Sequence, residues 1–198
     1  MKYCAACILT PNYSASNFFA QTMNDDELLH QSERFRVVSR HRKMGDGREF
    51  SRQVILHPGA VAIVPVVDAE HVCLIRNYRV AVEQELIEVP AGTLELGEQP
   101  AATALRELEE ETGYIAGRLE PLTELLMSPG ILNERIYVFM AHDLRPGPAQ
   151  REETEEIQNY IVRIEDALAM IERGEIQDAK TIAALLLYDR RRATIQRS

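Results

Sequence analysis

Between Ala91 and Tyr114 the chain reads AGTLELGEQPAATALRELEEETGY, and Glu107, Glu109, Glu110 and Glu111 crowd into two turns of expected helix. Like charges three and four apart on a helix destabilise it, so something outside the helix must compensate. Glu107 and Glu111 are four apart and Glu110 lies three beyond Glu107, which lets their carboxylates converge on one side. Hard divalent cations prefer such oxygen ligands, and magnesium often takes one or two carboxylates plus substrate phosphates. The ordinary fate of a glutamate run is a solvated charged face. The neighbouring residues shift the balance toward a cation.

Those neighbours form a fixed pattern. Gly92 is followed after five residues by Glu98, after seven more by Arg106-Glu107-Leu108, and then, with single gaps, by Glu110-Glu111 and Gly113-Tyr114. With this spacing the chain resembles the Nudix hydrolases. The resemblance implies magnesium- or manganese-dependent hydrolysis of a nucleoside diphosphate linked to another moiety. It also implies an α+β fold, an α/β/α sandwich around a mixed sheet. By the family pattern Glu107 and Glu111 ligate metal with the backbone carbonyl of Ala91, and Glu110 is a further ligand or bridges through water. Arg106 and Glu98 support the loop and helix, Arg106 close to the chemistry. Attack of water on a diphosphate needs its charge neutralised and its leaving oxygen stabilised; clustered cations do both and lower the pKa of a bound water. They also align the diphosphate for in-line displacement.

Two stretches outside this pattern narrow the expected substrate. Pro129, in SPG, lies sixteen residues beyond Gly113, an offset similar to that of the ADP-ribose pyrophosphatase branch. SPGILNER looks like the loop that follows there, which places Glu134 against substrate. HPGAVAIVPV, IRNYR and ELIEVPAG resemble the same branch. Arg79 is the expected phosphate contact, because a guanidinium suits bidentate phosphate binding; Glu88 and Thr93 join it as substrate-binding candidates. In the acidic loop REETEEIQ the resemblance favours Glu155 as a metal ligand and Glu153 as general base, with Glu152 and Glu156 as competitors. Relatives stack adenine on aromatics; this chain has no Trp, leaving Phe35 or Phe50 for that role. Related enzymes are homodimers whose N-terminal strands reach the partner's site, a role open to residues 35–57. ADP-ribose, giving AMP and ribose 5-phosphate, is the expected substrate. GDP-mannose or another nucleotide sugar is the alternative, and a non-catalytic ligand sensor is the alternative of another class.

The elements that must position these residues can be read from pattern. Residues 1–32 show no sustained periodicity and suggest a loose extension with a short helix near DDELLHQ. FRVVSRHR and REFSRQVILH flank the turn signal GDG as a β-hairpin. GAVAIVPVV, apolar throughout, suits a strand buried on both faces; HVCLIRNYR and ELIEVPAG follow as extended segments. The acidic helix starts at Pro100 and stops before Gly113, with Ala101, Ala104, Leu105, Leu108 and Thr112 on its apolar face. LEPLTELLM, ERIYVFMAHDL and QNYIVRI are expected strands. EDALAMIERGE and AKTIAALLLYDRRRA are helices split near Gly174. This divides the chain into an N-terminal extension and hairpin, 1–57, and a catalytic domain, 58–198.

Composition sets the outer bounds. At 45% hydrophobic and 27% charged residues, the chain has the profile of a soluble globular protein. The net charge of −9 argues against a nucleic-acid or anionic-membrane surface. It leaves room for a small phosphate-bearing ligand, since bound cations invert local charge. Cys4, Cys7 and Cys73 make neither a disulfide framework nor a completed zinc site. No apolar run reaches membrane-spanning length and no signal peptide is evident, so a cytoplasmic protein is expected.

Overall fold

The computed structural model describes residues 26–149 and 157–195. Three antiparallel strands come first: β1 (Glu27–Gln31), β2 (Arg36–Lys43) and β3 (Glu49–Leu56). The β2–β3 hairpin turns where expected, with Gly47 at φ 87° and its N–H bonded to the Met44 carbonyl. The expected helix near DDELLHQ is not formed: Glu27–Gln31 is the strand β1, paired with β2. So short a segment cannot overcome the nucleation penalty of a helix, whereas β2 offers it a ready hydrogen-bonding edge.

The main sheet has the order β7 (Ala91–Thr93), β4 (Ala60–Pro65), β10 (Arg135–His142), β9 (Arg118–Leu126). It is mixed, with β4 and β10 parallel and the outer pairs antiparallel. A second sheet, β12 (Gln158–Arg163), β5 (His71–Arg79), β6 (Gln84–Glu88), is antiparallel. A small ladder joins β8 (Tyr114–Ile115) to β11 (Arg145–Pro146). The helices are α1 (Pro100–Thr112), α2 (Ile164–Glu172) and α3 (Ala179–Ile195).

The unbroken apolar run of β4 has a direct cause, because this strand serves two cores. Val61 and Ile63 pack with Tyr137, Phe139 and the α1 residues Ala104 and Leu108. Ala60, Ala62 and Val64 face the other way, against Val72 and Leu74 of β5 and Ala184, Leu185 and Tyr188 of α3. Each large aliphatic side chain so buried contributes roughly 1.5–3 kcal/mol by leaving water. The result is an α/β/α sandwich around a mixed sheet.

Helix α1 begins with Pro100 after an extended Gln99 that makes no side-chain cap, and it ends at Gly113 with φ 75°. Its buried face differs from the periodicity expected. Leu105 is exposed at 43%, while Thr103 and Glu111 are buried. The reason is polar: the Ala91 N–H donates to Glu111 Oε2 at 2.9 Å, which turns the acidic edge of the helix onto β7.

Candidate active site

The close fit of β7 to α1 starts at Gly92. A Cβ built there would land inside the carboxyl group of Glu107, so only glycine lets that carboxylate lie against the strand. Glu111 is 4% exposed and anchored on the Ala91 N–H. Glu107 and Glu111 therefore stand one helical turn apart over the same backbone segment. Both line a cleft of about 290 Å³ with Ala91, Gly92, Thr93 and Arg106.

Part of the charge compensation posed by the sequence comes from Arg106. Its Nε and Nη2 donate to Glu98 at 3.1 and 3.0 Å, and its Nη1 donates to Glu107 and Glu110, both at 2.8 Å. Bonding to Glu98 and the nearby carboxylates hold the guanidinium well above its ordinary pKa, and the same bond pulls the Glu98 carboxyl below its usual range. Arg106 thus ties the Glu95–Glu98 turn to the helix. Glu110 points to the rim, its side chain 38% exposed, and does not line the cleft.

Arg79, at the end of β5, belongs to two clefts: the acidic one and a neighbour of about 230 Å³ lined by Thr93, Met127, Glu134, Asp178 and Lys180 among others. Its Nε and Nη2 grip Glu88, the Nη2–Oε2 distance being 2.5 Å. That bond raises the Arg79 pKa, with Glu111 and Asp178 adding to it. Glu88 is 1% exposed and lies beneath Arg79 rather than in either cleft.

Glu134 reaches the second cleft from a loop laced to β3. Ile55 N–H bonds the Ile131 carbonyl at 2.8 Å, Asn133 N–H bonds the Ile55 carbonyl at 3.1 Å, and Asn133 Oδ1 accepts the His57 N–H at 2.7 Å. His57 Nδ1 accepts the Gly59 N–H and lies 3.4 Å from Glu134. Burial lowers the His57 pKa, and the nearby Glu134 pulls it the other way. Pro129 sits in the turn that opens this loop.

Glu153 and Glu155, with Glu152 and Glu156, lie outside the described residues. The chain on either side of them is fixed near the end of α1. Gly147 N–H bonds the Gly113 carbonyl at 2.6 Å, and Asn159 Nδ2 donates to the Thr112 carbonyl at 2.8 Å. Phe35, in the connection between β1 and β2, and Phe50, in β3, line neither cleft, whereas Arg34, beside Phe35, lines the acidic one. Arg34, Asp178 and Lys180 were not indicated by the sequence. Asp178 fits the pattern of a helix N-cap, which marks where α3 starts but not that this start faces a cleft.

Among the described residues, no cluster of three or more His, Cys, Asp or Glu is gathered for a metal. The donors present still suit one of the magnesium type: two carboxylates, one seated on a glycine, above the Ala91 backbone, all hard oxygen ligands beside a cleft open to phosphate.

Comparison with known proteins agrees with this geometry. The NUDIX domain family profile matches residues 56–185. The ADP-ribose pyrophosphatase of Bacillus subtilis is 41% identical over 145 residues, covering 72% of this chain and 78% of the relative. The GDP-mannose pyrophosphatase of Citrobacter koseri is 37% identical over 154 residues, 73% of this chain and 80% of its own. A crystal structure of an ADP compounds hydrolase superposes with a TM-score of 0.78 at 27% identity, covering 89% of this chain and 96% of that one. No helix among the described residues is long and apolar enough to cross a membrane.

Proposed function

The chain belongs to the Nudix hydrolase family, and from that premise we propose that it hydrolyses the diphosphate of ADP-ribose to AMP and ribose 5-phosphate. The observation that carries this reading is the shared wall of the two clefts. Arg79 stands between a compartment walled by Glu107 and Glu111 and another walled by Glu134 and Lys180. A diphosphate placed at Arg79 would extend one moiety into each. The 41% identity to an ADP-ribose pyrophosphatase supports ADP-ribose over other nucleotide sugars.

In this reading Glu107, Glu111 and the Ala91 carbonyl would hold Mg²⁺ or Mn²⁺, with Glu110 at the edge and Glu155 completing the set. A cation bound there would supply charge neutralisation for the diphosphate and lower the pKa of water. The chain does the remainder. Arg79 orients a phosphate by its guanidinium fork, and Glu134 and Thr93 face the second cleft to meet hydroxyl groups. Arg106 keeps Glu107 and Glu110 in place, and Glu153 takes the proton of the attacking water. The substrate is a small molecule rather than nucleic acid, the protein works in the cytoplasm, and the N-terminal hairpin, residues 35–57, serves a homodimer.

The relative specificity for ADP-ribose and GDP-mannose tests the substrate. A kcat/KM at least about tenfold higher for ADP-ribose, a difference of about 1.4 kcal/mol in transition-state binding, is expected; the reverse ratio would move the enzyme to the GDP-mannose class. Glu153→Gln and Glu155→Gln test the loop assignment. Each is expected to lower kcat by about 10²-fold or more, and unchanged turnover in both would remove these residues from the mechanism.

A further inference from the structure

Lys180 is a lysine in an unusual place. It sits in the first turn of α3 with its side chain only 11% exposed, and it lines the second cleft with Arg79 and Glu134. Its Nζ lies 3.1 Å from Glu88 Oε2 and 3.0 Å from Asp178 Oδ2. The buried Glu88 carboxylate therefore serves two cations, Arg79 and Lys180. With Asp178 the group holds two positive and two negative charges, so it creates no net positive field. Its effect is geometric.

The backbone of Lys180 is fixed from both sides. Asp178 Oδ2 accepts the Thr181 N–H at 2.9 Å and its hydroxyl at 2.6 Å, capping α3. Thr181 Oγ1 in turn accepts the Val89 N–H at 2.9 Å, next to Glu88. The helix start and the Glu88 strand end are thus bolted together. Arg79 spends its Nε–Nη2 edge on Glu88, and among the described residues its Nη1 donates to nothing. A guanidinium clamped along one edge presents the other in a fixed direction.

We infer that Lys180 is a positioning residue for substrate binding: by fixing Glu88 it holds the free edge of Arg79 in the orientation that receives a phosphate. This rests on the phosphate role of Arg79 proposed above. Truncating one cation of a buried ionic group leaves the remainder poorly compensated, and a residue acting through another is revealed by non-additivity.

The test compares Lys180→Met, Lys180→Arg, Arg79→Ala and the Arg79→Ala/Lys180→Met pair on whichever of ADP-ribose and GDP-mannose the wild type cleaves better. Lys180→Gln stands in if the Met variant folds poorly. Lys180→Met is expected to raise KM by about tenfold with kcat within about twofold, Lys180→Arg to restore KM, and Lys180→Met to add nothing further to Arg79→Ala. Without substrate, the side-chain Nε–H resonance of Arg79 in a ¹⁵N spectrum is expected to move or broaden in Lys180→Met and to return in Lys180→Arg. An unmoved Arg79 resonance with unchanged KM, or full additivity in the double variant, would overturn the inference. If the wild type cleaves neither compound, the functional reading fails instead, and the Arg79 resonance alone still decides whether Lys180 orients Arg79.

Discussion

At Gly92 a single hydrogen atom in place of a side chain decides where Glu107 rests. Gly92→Ala would push the Glu107 carboxylate off β7, and misplacement of about 1 Å in such a site costs on the order of 10² in rate. We predict a loss of that size in kcat with the fold retained, measured by steady-state kinetics beside circular dichroism; near-normal kcat would show that Glu107 need not lie against the strand. Residues of this kind were legible in the sequence because their chemistry demands a type and a spacing. Arg34, Asp178 and Lys180 were not legible, since nothing local distinguishes a cleft-facing charged residue from a surface one. Only the docking of α3 beside β6 brings Lys180 to Arg79.

Elements transmit this geometry. Gly113 ends α1 in the left-handed region, and a Cβ there would meet the Gly147 carbonyl at 2.8 Å. Gly113→Ala is expected to cost about 1–3 kcal/mol for the strained backbone, which for a chain of this size lowers Tm by several degrees. It should also lower kcat, because the chain leading into the acidic loop docks at that residue; an unchanged Tm would refute the close packing. The Glu134 loop offers a second case. Asn133→Ala removes the acceptor of the His57 N–H, costing about 1–3 kcal/mol for a part-buried donor left unpaired. It is expected to raise KM more than it lowers kcat; an unchanged KM would detach β3 from the site. Most strands were readable from their apolar runs, β4 best of all because it is buried on both faces. β1 was not, since its exposed residues carry no alternation and only pairing with β2 makes it a strand. The turned face of α1 was hidden too, because burying Glu111 on the Ala91 N–H overrides the apolar period.

At the scale of the whole molecule, charge bears on stability and on the proposed ligand. The folded Glu98 carboxyl is held below its ordinary value of 4.5 by Arg106. The stability it contributes is therefore complete above pH 4.5 and is lost as pH falls through the lower folded value. Denaturation midpoints followed downward from neutral pH should fall less steeply below pH 4.5 in Glu98→Gln than in the wild type; identical slopes would mean the pair adds nothing to folding. In the function proposed above, the helix edge that carries Glu107 and Glu111 takes up a cation before a diphosphate. The most direct measurement is therefore product analysis of purified protein incubated with ADP-ribose, with magnesium in one sample and EDTA in another. AMP and ribose 5-phosphate in the first and intact ADP-ribose in the second is the predicted result. Intact ADP-ribose in both, or equal cleavage in both, would contradict it.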